Sequence, residues 1–199
     1  MTAYKMDDVQ TIKVPDTLPA IESDTRDFGF DMSSERQAGA LLRALVASKP
    51  NGRFLELGTG TGLCTSWILD GMSPSSSLVS IDIDQKASAI AHKHLGHDPR
   101  LSLIITDANR WLKTYASFQF DLIFADALPG KYENFENAWN KLALGGFYVI
   151  DDMLPHDNWP DGHHVNVERL LSDLDERSDC KLVRMCWSSG LVIAARTIG

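Results

Sequence analysis

Apolar residues along this chain gather in short runs, and between the runs lie stretches of helical length with one polar side. Residues 53–57 (RFLEL), 77–82 (SLVSID), 101–106 (LSLIIT), 120–126 (FDLIFAD) and 145–151 (GGFYVID) are apolar on both faces. Strands buried inside a parallel sheet read this way, whereas half-exposed hairpins alternate. Residues 63–71, 85–95, 108–116 and 132–142 separate them, each with charged or polar positions along one side. Strand followed by helix, repeated, predicts βαβ units with right-handed crossovers and a doubly wound sheet.

The pattern changes toward the C-terminus. After a predicted helix at 165–177 come CKLVRMCW (180–187) and LVIAAR (191–196), joined by Ser188, Ser189 and Gly190. A short glycine-containing connection between two such runs predicts an antiparallel hairpin. The expected fold is α/β: a Rossmann-like, doubly wound, seven-stranded mixed sheet whose last strand is antiparallel. Upstream, a helix is expected to start at Ser33 or Ser34 and to stop at Pro50-Asn51-Gly52. Residues 1–31 contain Pro15 and Pro19 and little periodicity, and read as an arm or lid before a domain spanning 32–199.

Composition narrows the function classes. With 199 residues, 44% of them hydrophobic, the chain can bury the core of one globular domain. Its formal charge of -8 argues against a nucleic-acid partner held through phosphates, which needs a basic stripe. No apolar run approaches the ~20 residues of a membrane span, and the opening MTAYKMDDVQ lacks a signal-peptide core. A cytoplasmic location is therefore expected, without membrane or nucleic-acid partners. Cys64, Cys180 and Cys186 show no CxxC spacing and read as buried, reduced thiols.

The chemistry starts at LELGTGTGL, residues 55–63, where a predicted strand meets a predicted helix. A glycine turn in that context lets a ligand approach backbone N–H groups closely. Gly58, Gly60 and Gly62 form GxGxG, and Leu63 stands where a dinucleotide fingerprint requires its third glycine. Glu56 adds negative charge just before the turn, which disfavours a diphosphate and favours a positively charged nucleoside. Asp82 ends the next strand 24 residues after Gly58, a separation that suits one helix and a return strand. A carboxylate there can accept from ribose hydroxyls, while Asp84 reads as a cap for the following helix.

Several motifs in order give this chain a resemblance to the class I S-adenosylmethionine-dependent methyltransferases, and among them to the small catechol and caffeoyl-CoA type O-methyltransferases. LELGTGTG resembles their first motif, LVSIDID the second-strand motif, TDANRWL the third, and FDLIFADALPGKY and LGGFYVIDDM the fourth and fifth strand ends. DMSSERQAGALL resembles the segment before the first strand, whose backbone in the family helps hold the cofactor's carboxylate. The likeness runs from about Met32 to Arg196. It implies S-adenosylmethionine as cofactor, held by Glu56, Gly58, Thr59, Gly60, Asp82, Ile83, Asp107, Ala108 and Asp126. Trp111 is expected near the adenine or in the core. Cys64 stands where catechol-type enzymes tend to carry a serine that contacts the cofactor; Thr65, Ser66 or backbone groups are the available substitutes.

The resemblance further implies a small-molecule acceptor and a divalent cation such as Mg2+, and it is compatible with a homodimer. Residue by residue, Asp126, Asp151 and Asp152 match the metal positions, with Asp152 replacing the family's asparagine. Such oxygen donors suit magnesium or calcium. Lys131 is displaced by two residues from the family's lysine position, which Pro129 occupies here, and is expected either as a base or as a solvated loop lysine. The loop DDMLPHDNWPDGHH (151–164) departs from the family and crowds His156, Asp157, Asp161, His163 and His164 together. His156 is the expected base, with the other histidines solvated; His92, His94 and His97 likewise read as a solvated helix face.

The expected activity is methyl transfer from S-adenosylmethionine to a hydroxyl oxygen of a small molecule. Two alternatives remain open at this point. One is an NAD-dependent oxidoreductase using the same turn; the other is a homologue that binds the cofactor without transferring a methyl group.

Overall fold

Side-chain alternation along the central strands decides which helices cover which face of the sheet. In the computed structural model, which describes residues 13–156 and 159–199, helices α1 (Leu18–Phe28) and α2 (Arg36–Ala47) precede strand β1 (Arg53–Leu57). Then follow α3 (Leu63–Gly71), β2 (Ser77–Asp82), α4 (Gln85–Leu95), β3 (Leu101–Ile105), α5 (Ala108–Thr114) and β4 (Phe120–Ala125). The chain ends with α6 (Phe135–Trp139), β5 (Leu142–Ile150), α7 (His163–Asp175), β6 (Cys180–Met185) and β7 (Leu191–Arg196). Phe54, Leu122, Phe124 and Val149 point to the side covered by α1 to α4. Leu55, Leu57, Ile123, Ala125, Tyr148 and Ile150 point to the side of α5, α6 and α7. Each such large apolar side chain taken out of water contributes roughly 1.5–3 kcal/mol.

The seven strands lie in the order β3-β2-β1-β4-β5-β7-β6. β1 to β5 are mutually parallel, and β7 runs antiparallel between β5 and β6. The expected mixed sheet with an antiparallel last strand is thus observed. Strand order reverses between β1 and its neighbours β2 and β4, which opens the crevice where doubly wound sheets hold ligands. Because β7 runs opposite to the rest, the turn between β6 and β7 emerges at that same carboxyl end.

Four local readings needed correction. Residues 18–28 form a helix that the prolines concealed: Pro19 sits in its first turn, where its missing N–H costs nothing. Leu18 and Ile21 are buried in the core beneath it. The second helix begins at Arg36, after Ser33 and Ser34, and its N-cap Glu35 makes no side-chain cap bond. The helix expected at 132–142 shrinks to Phe135–Trp139, because residues 128–134 form a tight turn and Asn134 takes φ 53°. Lastly, Cys186 is exposed, whereas Cys64 and Cys180 are buried.

Among the described residues no helix is long and apolar enough to cross a membrane.

Candidate active site

The glycine turn is built by its neighbours. Gly58, Gly60 and Gly62 take φ of 102°, 51° and 93°, backbone that an L side chain adopts only with strain. A Cβ on Gly58 would come within 2.6 Å of the Asp126 carbonyl oxygen, so strands β1 and β4 can approach only with glycine there. The Gly60 N–H donates to Asp82 Oδ2 at 2.7 Å, and the Asp84 N–H donates to Asp82 Oδ1 at 2.8 Å. Asp84 itself caps α4, accepting from the Lys86 and Ala87 amides. Asp82 therefore faces the turn, and the capping role falls to Asp84 as expected. From α1, the buried Thr25 hydroxyl donates to Thr61 at 2.8 Å, and the Phe30 ring lies over Gly60.

Glu56 is fully buried at the end of β1. Its Oε2 accepts from the Thr65 hydroxyl at 2.6 Å and the Ser80 hydroxyl at 2.5 Å. Its Oε1 is buried with no partner. Burial pushes this carboxyl up to about 8; the two hydroxyls pull it down, and the charges of Asp126 and Asp82 add to the rise. An unsatisfied buried acceptor is costly, and a cationic group brought to Oε1 would relieve it. Thr65 is occupied by Glu56, and the Ser66 hydroxyl bonds Thr17 at 2.8 Å. Both hydroxyls beside Cys64 thus already have partners within the fold.

On the nucleoside side, Ile83 is 73% exposed just beyond Asp82, an apolar surface at the carboxyl edge of the sheet. Asp107 caps α5 by accepting from the Asn109 amide at 2.8 Å, and Ala108 is buried behind it. Trp111 stacks on Tyr115 with ring centroids 4.3 Å apart and packs against the core.

Across the crevice, Asp126 and Asp151 end β4 and β5. Asp126 Oδ2 accepts from the Ser34 hydroxyl at 3.1 Å, tying the segment before α2 to the site. Burial, then the neighbouring Asp151 charge, push Asp126 up to about 7, and the Lys131 ammonium opposes the shift. Asp151 is 2% exposed and accepts from the Asp152 amide at 2.7 Å and from the Ser189 hydroxyl. Burial raises its carboxyl also.

Lys131 is only 5% exposed. Its Nζ donates to the Asp151 carbonyl oxygen at 3.0 Å and lies 3.8 Å from Asp126 Oδ1. The solvated alternative for this lysine is ruled out, and its displacement along the chain does not keep it from the site. The turn delivers it: the Lys131, Tyr132 and Glu133 amides all donate to the Leu128 carbonyl oxygen, and the Tyr148 hydroxyl donates to the Gly130 carbonyl oxygen at 2.6 Å. Gly130, at φ 84°, is wedged so that a Cβ would meet Leu57 at 2.4 Å.

Asp152 has partners of its own. In the left-handed region at φ 60°, it pairs with His156 Nε2 at 3.1 Å and accepts from the Trp159 indole N–H at 3.3 Å. The residues do not fit a divalent ion as the resemblance would have it. An ammonium stands beside Asp126 and Asp151, and the Asp152 carboxylate is engaged by His156 and Trp159. Among the described residues no three His, Cys, Asp or Glu side chains come together as a metal site.

The histidines were only partly legible. His163 is not solvated: its ring packs edge-on to Tyr132 at 5.1 Å and against Trp159 at 4.6 Å, and its Nε2 is buried without a partner. The Tyr132 hydroxyl is likewise buried and unpartnered. His94 bonds Asp24 of α1 at 2.7 Å, whereas His164 is exposed. Asp157 lies outside the described residues. The site contacts of Ser34, Ser80 and Ser189 escaped the sequence reading, since an isolated serine has no period or spacing to mark it.

A methyltransferase-domain family profile matches residues 55–153, the stretch from β1 to just past the Asp151-Asp152 pair. Over 171 residues the chain is 33% identical to a provisionally named O-methyltransferase of Mycobacterium sp. (strain JLS), covering 79% of this chain and 76% of that protein. A provisionally named O-methyltransferase of Mycolicibacterium vanbaalenii is 34% identical over 116 residues, 56% of this chain and 51% of that one. The chain spans about half the length of several curated relatives it matches. In fold it is similar to the O-methyltransferase TomG of Streptomyces achromogenes, solved with S-adenosylmethionine. The TM-score is 0.81 at 24% identity, covering 95% of this chain and 93% of that one. Profile, relatives and sheet topology agree with one another, and the chain belongs to the O-methyltransferase family.

Proposed function

We propose that this protein transfers a methyl group from S-adenosylmethionine to a hydroxyl oxygen of a small-molecule acceptor. The observation that carries the reading is Glu56: a fully buried carboxyl beside the glycine turn with one oxygen unpartnered. A ligand with a cationic amino-acid end and a ribose suits both Glu56 and Asp82. A dinucleotide would bring its diphosphate against Glu56, and nothing in the fold or the relatives favours the oxidoreductase alternative.

When bound, the cofactor supplies a methyl group on a sulfonium, activated for in-line displacement. Glu56 accepts from the amino group, and the Gly58-Thr59-Gly60 backbone wraps the amino-acid portion. Asp82 accepts from the ribose hydroxyls, while Ile83, Asp107 and Ala108 flank the adenine. Asp126, at the carboxyl end of β4, faces the reacting centre and favours its positive charge.

The acceptor hydroxyl must lie in line with the methyl group and lose its proton as the new bond forms. His156 takes that proton, oriented by its contact with Asp152. The Lys131 ammonium stabilises the oxygen as it becomes negative.

Calorimetric titration with S-adenosylhomocysteine and with NAD tests the cofactor. Binding of NAD alone would overturn the reading. Label transfer from methyl-labelled S-adenosylmethionine to a panel of phenols, catechols and aliphatic alcohols tests the reaction. Tight S-adenosylhomocysteine binding with no transfer to any hydroxyl would support the non-catalytic homologue instead.

A further inference from the structure

The carboxyl ends of β4 and β5 already hold a cation, and it belongs to the polypeptide. Lys131 Nζ donates to the Asp151 carbonyl oxygen at 3.0 Å and lies 3.8 Å from Asp126 Oδ1, almost wholly shielded from water. Its backbone is not free to withdraw. Three amides of its turn converge on the Leu128 carbonyl oxygen, Gly130 is wedged against Leu57, and the buried Tyr148 hydroxyl holds the Gly130 carbonyl oxygen.

The neighbouring carboxylates have partners as well. One oxygen of Asp151 accepts from Ser189 and from the Asp152 amide. The Asp152 carboxylate is shared between His156 and Trp159. A divalent ion drawn to Asp126 and Asp151 would meet the Lys131 ammonium at close range, where like charges repel strongly.

We infer that Lys131 is the resident cation of this site, standing where the catechol-type resemblance places a divalent metal, and that the acceptor oxygen is positioned by its ammonium. The inference deepens the proposed methyl transfer and rests on it for the acceptor's role, but the occupancy of the cation position can be read separately. A compact ammonium and a metal ion differ in what they demand of an acceptor. The metal can chelate two adjacent oxygens; the ammonium donates hydrogen bonds and needs only one. The structure thus suits acceptors with a single hydroxyl at the reacting end, not only vicinal diols.

Mn2+ is the probe, followed by the electron paramagnetic resonance of the free ion, with the full chain loaded with S-adenosylhomocysteine. The wild-type protein should leave the free Mn2+ signal undiminished at millimolar ion. Lys131→Ala should bind one Mn2+ per chain, about tenfold or more tighter than wild type, and the added change Asp126→Asn should abolish that binding. One Mn2+ bound per wild-type chain and lost in Asp126→Asn or Asp151→Asn would overturn the inference while leaving methyl transfer intact. The wild-type arm decides the matter even if Lys131→Ala fails to fold. Failure of S-adenosylhomocysteine to bind at all would instead sink the proposed function, whatever the manganese result.

Discussion

Asp82 holds the glycine turn in place, its Oδ2 accepting the Gly60 N–H at 2.7 Å across the gap between β1 and β2. A carboxylate has about four acceptor sites, and the amides of Gly60 and Asp84 occupy two of them. The remainder are left for the ribose hydroxyls of the proposed cofactor. Asp82→Ala should therefore lower S-adenosylhomocysteine affinity by about a hundredfold, combining lost hydroxyl contacts with a loosened turn. Calorimetry on wild type and variant checks this, and an unchanged affinity would remove Asp82 from the binding site.

Glu56 gives a pH dependence of definite sign. Its folded value, about 8, lies above the ordinary 4.5, so the buried group is neutral at pH 7 while the unfolded chain's is charged. Its contribution is fully present below about pH 4.5 and is lost as the pH rises toward 8, at up to about 1.4 kcal/mol per pH unit. The ligand-free protein should lose melting temperature across that window, and Glu56→Gln should flatten the slope. Bound S-adenosylhomocysteine, with its ammonium at Oε1, should release protons on binding near pH 7, visible in buffers of different ionisation enthalpy.

At Gly58 backbone and packing act together. Gly58→Ala must place a Cβ 2.6 Å from the Asp126 carbonyl oxygen at φ 102°. The expected loss of stability is about 1–3 kcal/mol, with a larger loss of cofactor binding because the turn can no longer close on β4. Chemical denaturation and calorimetry measure the two separately; a variant as stable as wild type would mean the strands move apart easily.

His156→Asn keeps a polar group of similar size beside Asp152 but removes the base. Turnover should fall by about 10²–10⁴-fold, while S-adenosylhomocysteine affinity stays at the wild-type level. Should turnover persist, the proton leaves by another route and His156 serves only to close the loop.

The sheet was legible because its strands carry long apolar runs whose meaning depends little on context. The surroundings of the glycine turn were legible for a related reason: Glu56, the glycines and Asp82 sit at fixed distances from strand ends. What escaped depends on contacts distant in sequence. Lys131 reads equally as a base or as a loop lysine until Gly130 and Tyr148 tuck its turn into the core, and His163 looks solvated until Tyr132 and Trp159 enclose it. Helix α1 was hidden because prolines suggest extended chain, although Pro19 stands at the one place a helix accepts it. The partners of the aspartate pair were hidden in the same way, since adjacency of Asp151 and Asp152 in sequence does not fix that one meets Ser189 and the other His156 and Trp159.

The reversed last strand divides the labour of the fold. By bringing the β6–β7 turn up beside β5, it delivers Ser189 to Asp151 and lets the Gly190 and Ser189 carbonyl oxygens receive the Met153 and Leu154 amides. In the proposed function the terminal hairpin thereby becomes a wall of the acceptor half, while β1 and β2 carry the cofactor half on the far side of the strand-order reversal. A change in the length or sequence of that hairpin should, on that proposal, reshape which molecule is methylated while the methyl donor's seat stays as it was.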